Sequence, residues 1–521
     1  AAFPLSNRDI VVDAALPLLS TNPDVTLSLL SAGGIVINQQ IGGVDAPLGF
    51  NMTATSGSID VSNTGSILAK TIYAAASGSI TLAGNVKAQG GTMFLQSNQD
   101  IIFTGGTVQA QGGTMYLQSN RDIIFAGGTV QSPVLDLRAG AKIYSNAAGT
   151  VVTGGSLALR TGPQGVGSAS VPLGTSVTRL EALVGYVPAS PVAGGVFIEN
   201  TGVTELNIGG VDAGLSGVQV PIDAAYKDIF ISTSGSLLIG DAGGDRVTGP
   251  SDVGLFSSAD LKVFNNNANS VRSHFGAVTL SSVSTMEIGE FFSGRTGSIR
   301  GATGVNLLPG GALVIRAGSA VRASGTGDVF VMGGDQVSLF GGRIETFGGN
   351  VTIFTGPNTL FSTGGGSSAG IDTTVGGATH GNIILNADHF DIQSPINAGS
   401  RTVTIKPVLG NRSVDLGSET LGKISLTDFE LSQITANQVN IFSGDLGGDI
   451  LVSSPLNHPA SNGLGLFTPV GRADINAAFN RGAASIGIFT DSGLGGTGRL
   501  TAGEVVLFSG SGGIDYNGEI I

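Results

Sequence analysis

In a chain of 521 residues without cysteine, the side chains best suited to acid–base or metal chemistry are carboxylates and histidines. Thiol catalysis, disulfide staples and zinc–thiolate sites are excluded at once. Asp100 and Asp122 are the most suggestive pair, because they occupy the same place in two nearly identical segments. If those segments stack, the two carboxylates come to about 5 Å from one another. Such a pair could bind calcium or act as a general acid and base. The competing reading is a solvated ladder relieved by neighbouring Arg121; like charges at that distance cost little in water, which favours the ladder. Asp445-Leu446-Gly447-Gly448-Asp449 and Gly243-Gly244-Asp245 have the texture of calcium loops but lack the repeated nonapeptide, and they read as turns. His274, His380, His389 and His458 show no metal-ligand spacing. No catalytic, cofactor or metal residue is therefore assigned, and calcium is the one ion for which the sequence leaves room.

The framework that would carry these groups is unusual in composition. Glycine fills 85 positions, about 16 % against a usual level of about 7 %, while charged residues make up 12 %. Collagen is excluded because glycine does not recur at every third position, and disorder is excluded because 41 % of residues are hydrophobic. No apolar run is long enough to cross a bilayer, so no membrane span is expected. A net charge of -13 with only 24 Lys and Arg argues against a nucleic-acid partner. The opening Ala1-Ala2-Phe3-Pro4 lacks the basic and apolar segments of a signal peptide, as a processed or interior start would. Absence of cysteine is compatible with export of an unfolded chain.

Periodicity gives the architecture. Residues 88–109 (AQGGTMFLQSNQDIIFTGGTVQ) and 110–131 (AQGGTMYLQSNRDIIFAGGTVQ) agree at 19 of 22 positions, and fainter copies extend the register from about 50 to 155. Each unit contains apolar bursts of three to five residues ended by Gly, Asn or polar pairs, with no stretch long enough for a crossover helix. A repeat of this length suits an all-β, right-handed parallel β-helix, each coil lying about 4.8 Å from the last. Equivalent residues then stack: Phe94 on Tyr116, Leu95 on Leu117, Ile102 on Ile124 and Phe103 on Phe125 are expected to fill the bore. Asn98 over Asn120 and Gln96 over Gln118 are expected to form amide ladders. The GG pairs at 90–91, 105–106, 112–113 and 127–128 mark corners, where positive φ or close approach of coils tolerates little else.

The divisions expected are N-terminal coils over 1–155, a loop insertion over 156–195, central coils with excursions over 196–380, and C-terminal coils over 381–521. Proline-bearing 156–195, Asp245 to Asn269 and the glycine-rich Gly364 to Gly377 read as irregular. Thr427 with Glu430 has the form of a capping box and predicts one short flanking helix near 427–434. Neither end shows the amphipathic cap that normally covers an open rung. The strands around Ile10, Val11 and Val12 at one end, and Val505, Val506, Leu507, Ile520 and Ile521 at the other, either form a candidate end-to-end interface or continue into further coils of a longer protein. About 20 coils would give a rod on the order of 100 Å.

The coil grammar of 78–113, and more specifically Val414-Asp415-Leu416-Gly417 and Leu426-Thr427-Asp428-Phe429-Glu430-Leu431, resembles the filamentous-haemagglutinin-like large exoproteins of Gram-negative bacteria. That resemblance covers under half the chain well. It implies a secreted, extracellular or cell-surface β-solenoid acting as adhesin, fibre or matrix component, with head-to-tail self-association and a cell-surface glycan or protein receptor as partners. The alternative is a carbohydrate-active β-helix enzyme, a polysaccharide lyase or hydrolase. The pectin hydrolases, however, carry an Asp-Asp pair, and no two aspartates are adjacent here; His380-Gly381 is a fragment of their histidine motif without its neighbours. The expectation is therefore a protein that is not an enzyme.

Overall fold

A computed structural model describes the chain apart from residues 1–7, 18–24, 44–47, 147–150, 186–193, 223–226, 241–243, 265–268, 291–294, 365–368, 378 and 458–460. It is an all-β parallel β-solenoid of about 20 coils of roughly 23 residues, with a single short helix among the described residues. Its contacts divide it into two units, Ala1–Ser257 and Ser258–Ile521.

In the first unit one ladder begins with Ile10–Val12 and passes in register through Ile35–Ile37, Ile59–Val61 and Ile80–Leu82 to the exact repeat. There Phe94 pairs with Tyr116 and Ile101 with Ile123, as the 22-residue offset requires. Elsewhere the offset changes: Ile59 pairs with Ile80, and Val196 with Ile229. The strand period of two decides which residues enter the bore. Ile35, Ile59, Ile80, Ile101, Ile123 and Ile143 form one fully buried column, and Phe103 lies on Phe125 inside, ring centroids 5.1 Å apart. Phe94, Tyr116, Ile102 and Ile124, expected in the bore, instead alternate outward. Tyr116 is 38 % exposed, and Tyr73, Phe94 and Tyr116 form a ladder on the outer surface, with centroid separations of 5.2 and 6.4 Å. Of the amide ladders, Asn120 Nδ2 donates to Asn98 Oδ1 at 3.2 Å, and Gln109 Nε2 donates to Gln131 Oε1 at 3.2 Å. Gln96 and Gln118 are in register.

Segment 156–195 is not a loop insertion where it is described. Strands Val151–Thr161, Gly165–Val166 and Leu173–Val184 continue the ladders, and the expected division at 155 falls inside the first. Pro163 and Pro172 lie just outside these strands, at corners that need no amide donor. Likewise Asp245 to Asn269 contains Arg246–Gly249, Val253–Ser257 and Leu261–Val263, and Gly364 to Gly377 contains Gly370–Asp372; Asn265, Asn266 and Asn267 fall outside the described residues.

In the second unit the helix Asp428–Ser432 forms as its capping box predicts: Thr427 Oγ1 accepts the Glu430 amide and Glu430 accepts the Thr427 amide at 2.8 Å. The Glu430 carboxylate also accepts the Ile392 amide at 2.9 Å, which ties the helix to the strand His389–Ile392. The last coil of this unit contains strands Glu504–Ser509 and Ile514–Tyr516, each hydrogen-bonded on one edge to the preceding coil.

Candidate functional site

The repeated carboxylates serve the backbone. Asp100 Oδ1 accepts the amide of Asp122 at 3.1 Å, and Asp122 Oδ1 accepts the amide of Lys142 at 2.9 Å. Arg121 Nε stands 3.7 Å from Asp100. Burial, with Asp100's charge adding to it, raises the Asp122 carboxyl above its ordinary range, while the Lys142 amide works against the rise. The same device recurs at other corners: Asn85 accepts from Thr107, Asp228 from Asp252, Asp328 from Asn350 at 2.7 Å, Asn350 from Asn382 and Asp449 from Arg472. A short acceptor at the corner thus satisfies an amide of the next coil, in most cases at or just before the start of its strand, much as an N-cap does for a helix.

The other candidates resolve similarly. Residues 445–449 form a turn around Gly447 (φ 119°), with Gly448 donating to the Gly444 carbonyl. Asp245 is buried, while Gly243 falls outside the described residues, as does His458. His380 Nδ1 accepts the Ser400 amide at 2.8 Å. No group of three or more acidic or histidine side chains suited to a metal ion occurs among the described residues. The candidate interface residues lie in the first and last described coils: Ile10–Val12 pairs with Ile35–Ile37, and Val505, Val506 and Leu507 pair with Ile486, Gly487 and Ile488. Ile520 bridges to Leu500, and the Ile521 amide donates to the Leu500 carbonyl. The core columns surface here. Val505 and Leu507 continue Ile486 and Ile488, while Ile514 and Ile520, which continue Leu494 and Leu500, are about half exposed.

Sequence reasoning missed several arrangements. In the first unit buried Arg160 bridges Asp136 at 2.9 Å and Asp212 at 2.5 Å, while Arg138 holds the other side of Asp136. Arg138 and Arg160 are one repeat apart, a visible signal, but Asp212 arrives from 52 residues away. In the second unit Phe442, Phe467 and Phe489 stack at 4.6 and 5.0 Å, Lys406 Nζ caps the column 4.5 Å from the Phe442 ring, and Phe508 extends it in register, 59 % exposed. A groove of about 330 Å³ beside the helix is lined by His389, Glu419, Lys423 and Ser425. Burial raises the Glu419 carboxyl, and the adjoining Glu430 carboxylate and Asp391 raise it further.

Parallel in-register ladders, a continuous apolar bore and corner acceptors repeated from coil to coil define a β-solenoid repeat protein. No protein-family model, curated protein or solved structure matches the chain.

Proposed function

We propose that this chain is a structural and adhesive β-solenoid of the extracellular surface, of the kind the filamentous-haemagglutinin-like exoproteins represent, and that copies join end to end into a fibre or matrix. The observation that supports this reading is the stack of parallel, in-register coils around a buried apolar bore in each unit, which supplies length and lateral surface. In the coil that holds Glu504–Ser509 and Ile514–Tyr516, Val505, Leu507, Ile514 and Ile520 carry the buried apolar columns of the preceding coil forward in register, an arrangement that a further coil, of the same chain or of a second copy, would continue. Ile10-Val11-Val12 offers the same in-out-in apolar triplet as Val505-Val506-Leu507, and both take part in parallel pairing. A second copy laid on the last coil would pair the edge and bury the columns together, a head-to-tail contact that propagates without closing.

Sedimentation and electron microscopy over a range of concentrations test it. Objects of constant width that lengthen with concentration are expected, and Val506→Lys with Leu507→Asp should hold the chain monomeric with unchanged circular dichroism. Monomers at every concentration would refute end-to-end joining.

A second reading, a carbohydrate-active enzyme, draws on the groove in which the raised carboxyl of Glu419 adjoins Glu430. Acidic polysaccharides assayed with and without calcium decide it: cleavage lost in Glu419→Gln supports an enzyme, and no cleavage by the wild type removes it.

A further inference from the structure

The second unit contains a column of cations on the outside of one ladder. Arg272 pairs in register with Arg300, Arg300 with Arg322, and Arg322 with Glu345. Side chains at paired positions of a parallel ladder project in the same direction, about 4.8 Å apart. The lower end of this column is ion-paired. Glu345 receives Arg322 Nε, and Arg343 Nε lies 3.1 Å from its other oxygen. The upper end is not: no carboxylate lies within ion-pair distance of Arg272 or Arg300 among the described residues, in a chain whose net charge is -13. Arg272 Nε is buried with no hydrogen-bond partner among them. Both residues are half-buried, and the charge of Arg300, added to burial, makes the protonated form of Arg272 harder to hold. His274 adjoins them, its proton affinity lowered by burial and then by these two arginines. Phe275, beside it, is largely exposed.

Like charges stacked without a counterion, one with an unsatisfied buried donor, are a cost that folding alone does not explain. We infer that Arg272 and Arg300 form a binding site for a tetrahedral oxyanion of the phosphate class, held between two stacked guanidinium forks. Guanidinium matches such an oxyanion with paired N–H donors, and two forks one coil apart can engage one anion from adjacent rungs. Bound anion neutralises the repulsion and supplies an acceptor to the column. Arg322 positions the site by ending it, since Glu345 confines the free charge to the two arginines above. The site is independent of end-to-end joining, because it lies on the lateral surface of internal coils.

The test titrates the full chain with inorganic phosphate at constant ionic strength, balanced with chloride, and reads heat of binding and thermal midpoint. Phosphate should raise the midpoint of the wild type and of Arg499→Gln, a control in an exposed pair with Glu519 at 3.3 Å. In Arg272→Gln and Arg300→Gln binding should weaken at least tenfold. In chloride alone Arg300→Gln should melt above the wild type, because one of two like charges is gone, and saturating phosphate should reverse that order. Arg300→Lys keeps the charge while losing the fork, and should retain a reduced phosphate shift even if the glutamine variants fold poorly. A wild type that responds to phosphate no more than to chloride, or a double variant Arg272→Gln, Arg300→Gln with an unchanged phosphate shift, overturns the site.

Discussion

Replacing Phe125 and Tyr116 separately by alanine distinguishes the bore from the outer face. The two residues lie in neighbouring strands of one coil and each meets an aromatic partner one repeat earlier, Phe125 stacked on Phe103 and Tyr116 tilted against Phe94, yet one is fully buried and the other 38 % exposed. Phe125→Ala deletes a ring from a packed column, for which losses of about 3–5 kcal/mol are typical. Tyr116→Ala leaves no enclosed cavity and should cost about 1 kcal/mol. Because coils contact mainly their neighbours, the loss in Phe125→Ala should be local. Amide exchange is the suitable assay. At about 1.4 kcal/mol per tenfold, strands Ile101–Ala110 and Lys142–Ser145 should exchange a hundredfold or more faster, with little change in Ala277–Ser282. Equal losses in the two variants, or acceleration spread evenly over all coils, would refute the assignment of inner and outer faces.

Gly162→Ala would place its Cβ 1.8 Å from the Gly140 carbonyl oxygen of the adjacent coil, whereas a Cβ at Gly90 meets nothing within 4 Å. Thermal unfolding should show a loss of about 2 kcal/mol or more for the first and a change within about 0.5 kcal/mol for the second. Arg160→Ala leaves the buried Asp136 carboxylate with only half-exposed Arg138, and a loss of about 3–5 kcal/mol is expected by chemical denaturation. Asp122, raised by burial above its ordinary 3.8, holds its proton more tightly when folded than unfolded. Its contribution is therefore most favourable in acid and is lost as pH rises through the folded value. Asp122→Asn should accordingly exceed the wild type in urea midpoint at pH 7, with the gain shrinking towards pH 3.

Much of this architecture was legible because stacking leaves an imprint: two segments alike at 19 of 22 positions are two coils in register, and Phe103, Phe125, Asn98 and Asn120 follow directly. What the repeat could not reveal is which side of the sheet a column occupies. Like residues stack on both faces, so Phe94 and Tyr116 resembled core until the alternation Met93 in, Phe94 out, Leu95 in was seen. Proline and glycine between 156 and 195 suggested a loop because the corners of these coils use the same residues. The corner carboxylates suggested chemistry for a related reason: sequence shows that Asp100 and Asp122 align, but not that each faces a backbone amide. Arg272, Arg300 and Arg322 escaped notice since coils of unequal length disguise their alignment. The Arg160–Asp212 pair crosses 52 residues and has no local signature.

Seven of the corner acceptors point one way. Asn85, Asp100, Asp122, Asp228, Asp328, Asn350 and Asp449 each receive an amide from a residue later in the chain. A finished coil therefore offers the incoming one a set of waiting oxygens as well as a strand edge, so growth from the amino end adds each turn to a prepared template. Winding from the carboxyl end would ask the amides to wait instead, and an unpaired donor is the costlier group to leave in a closing corner.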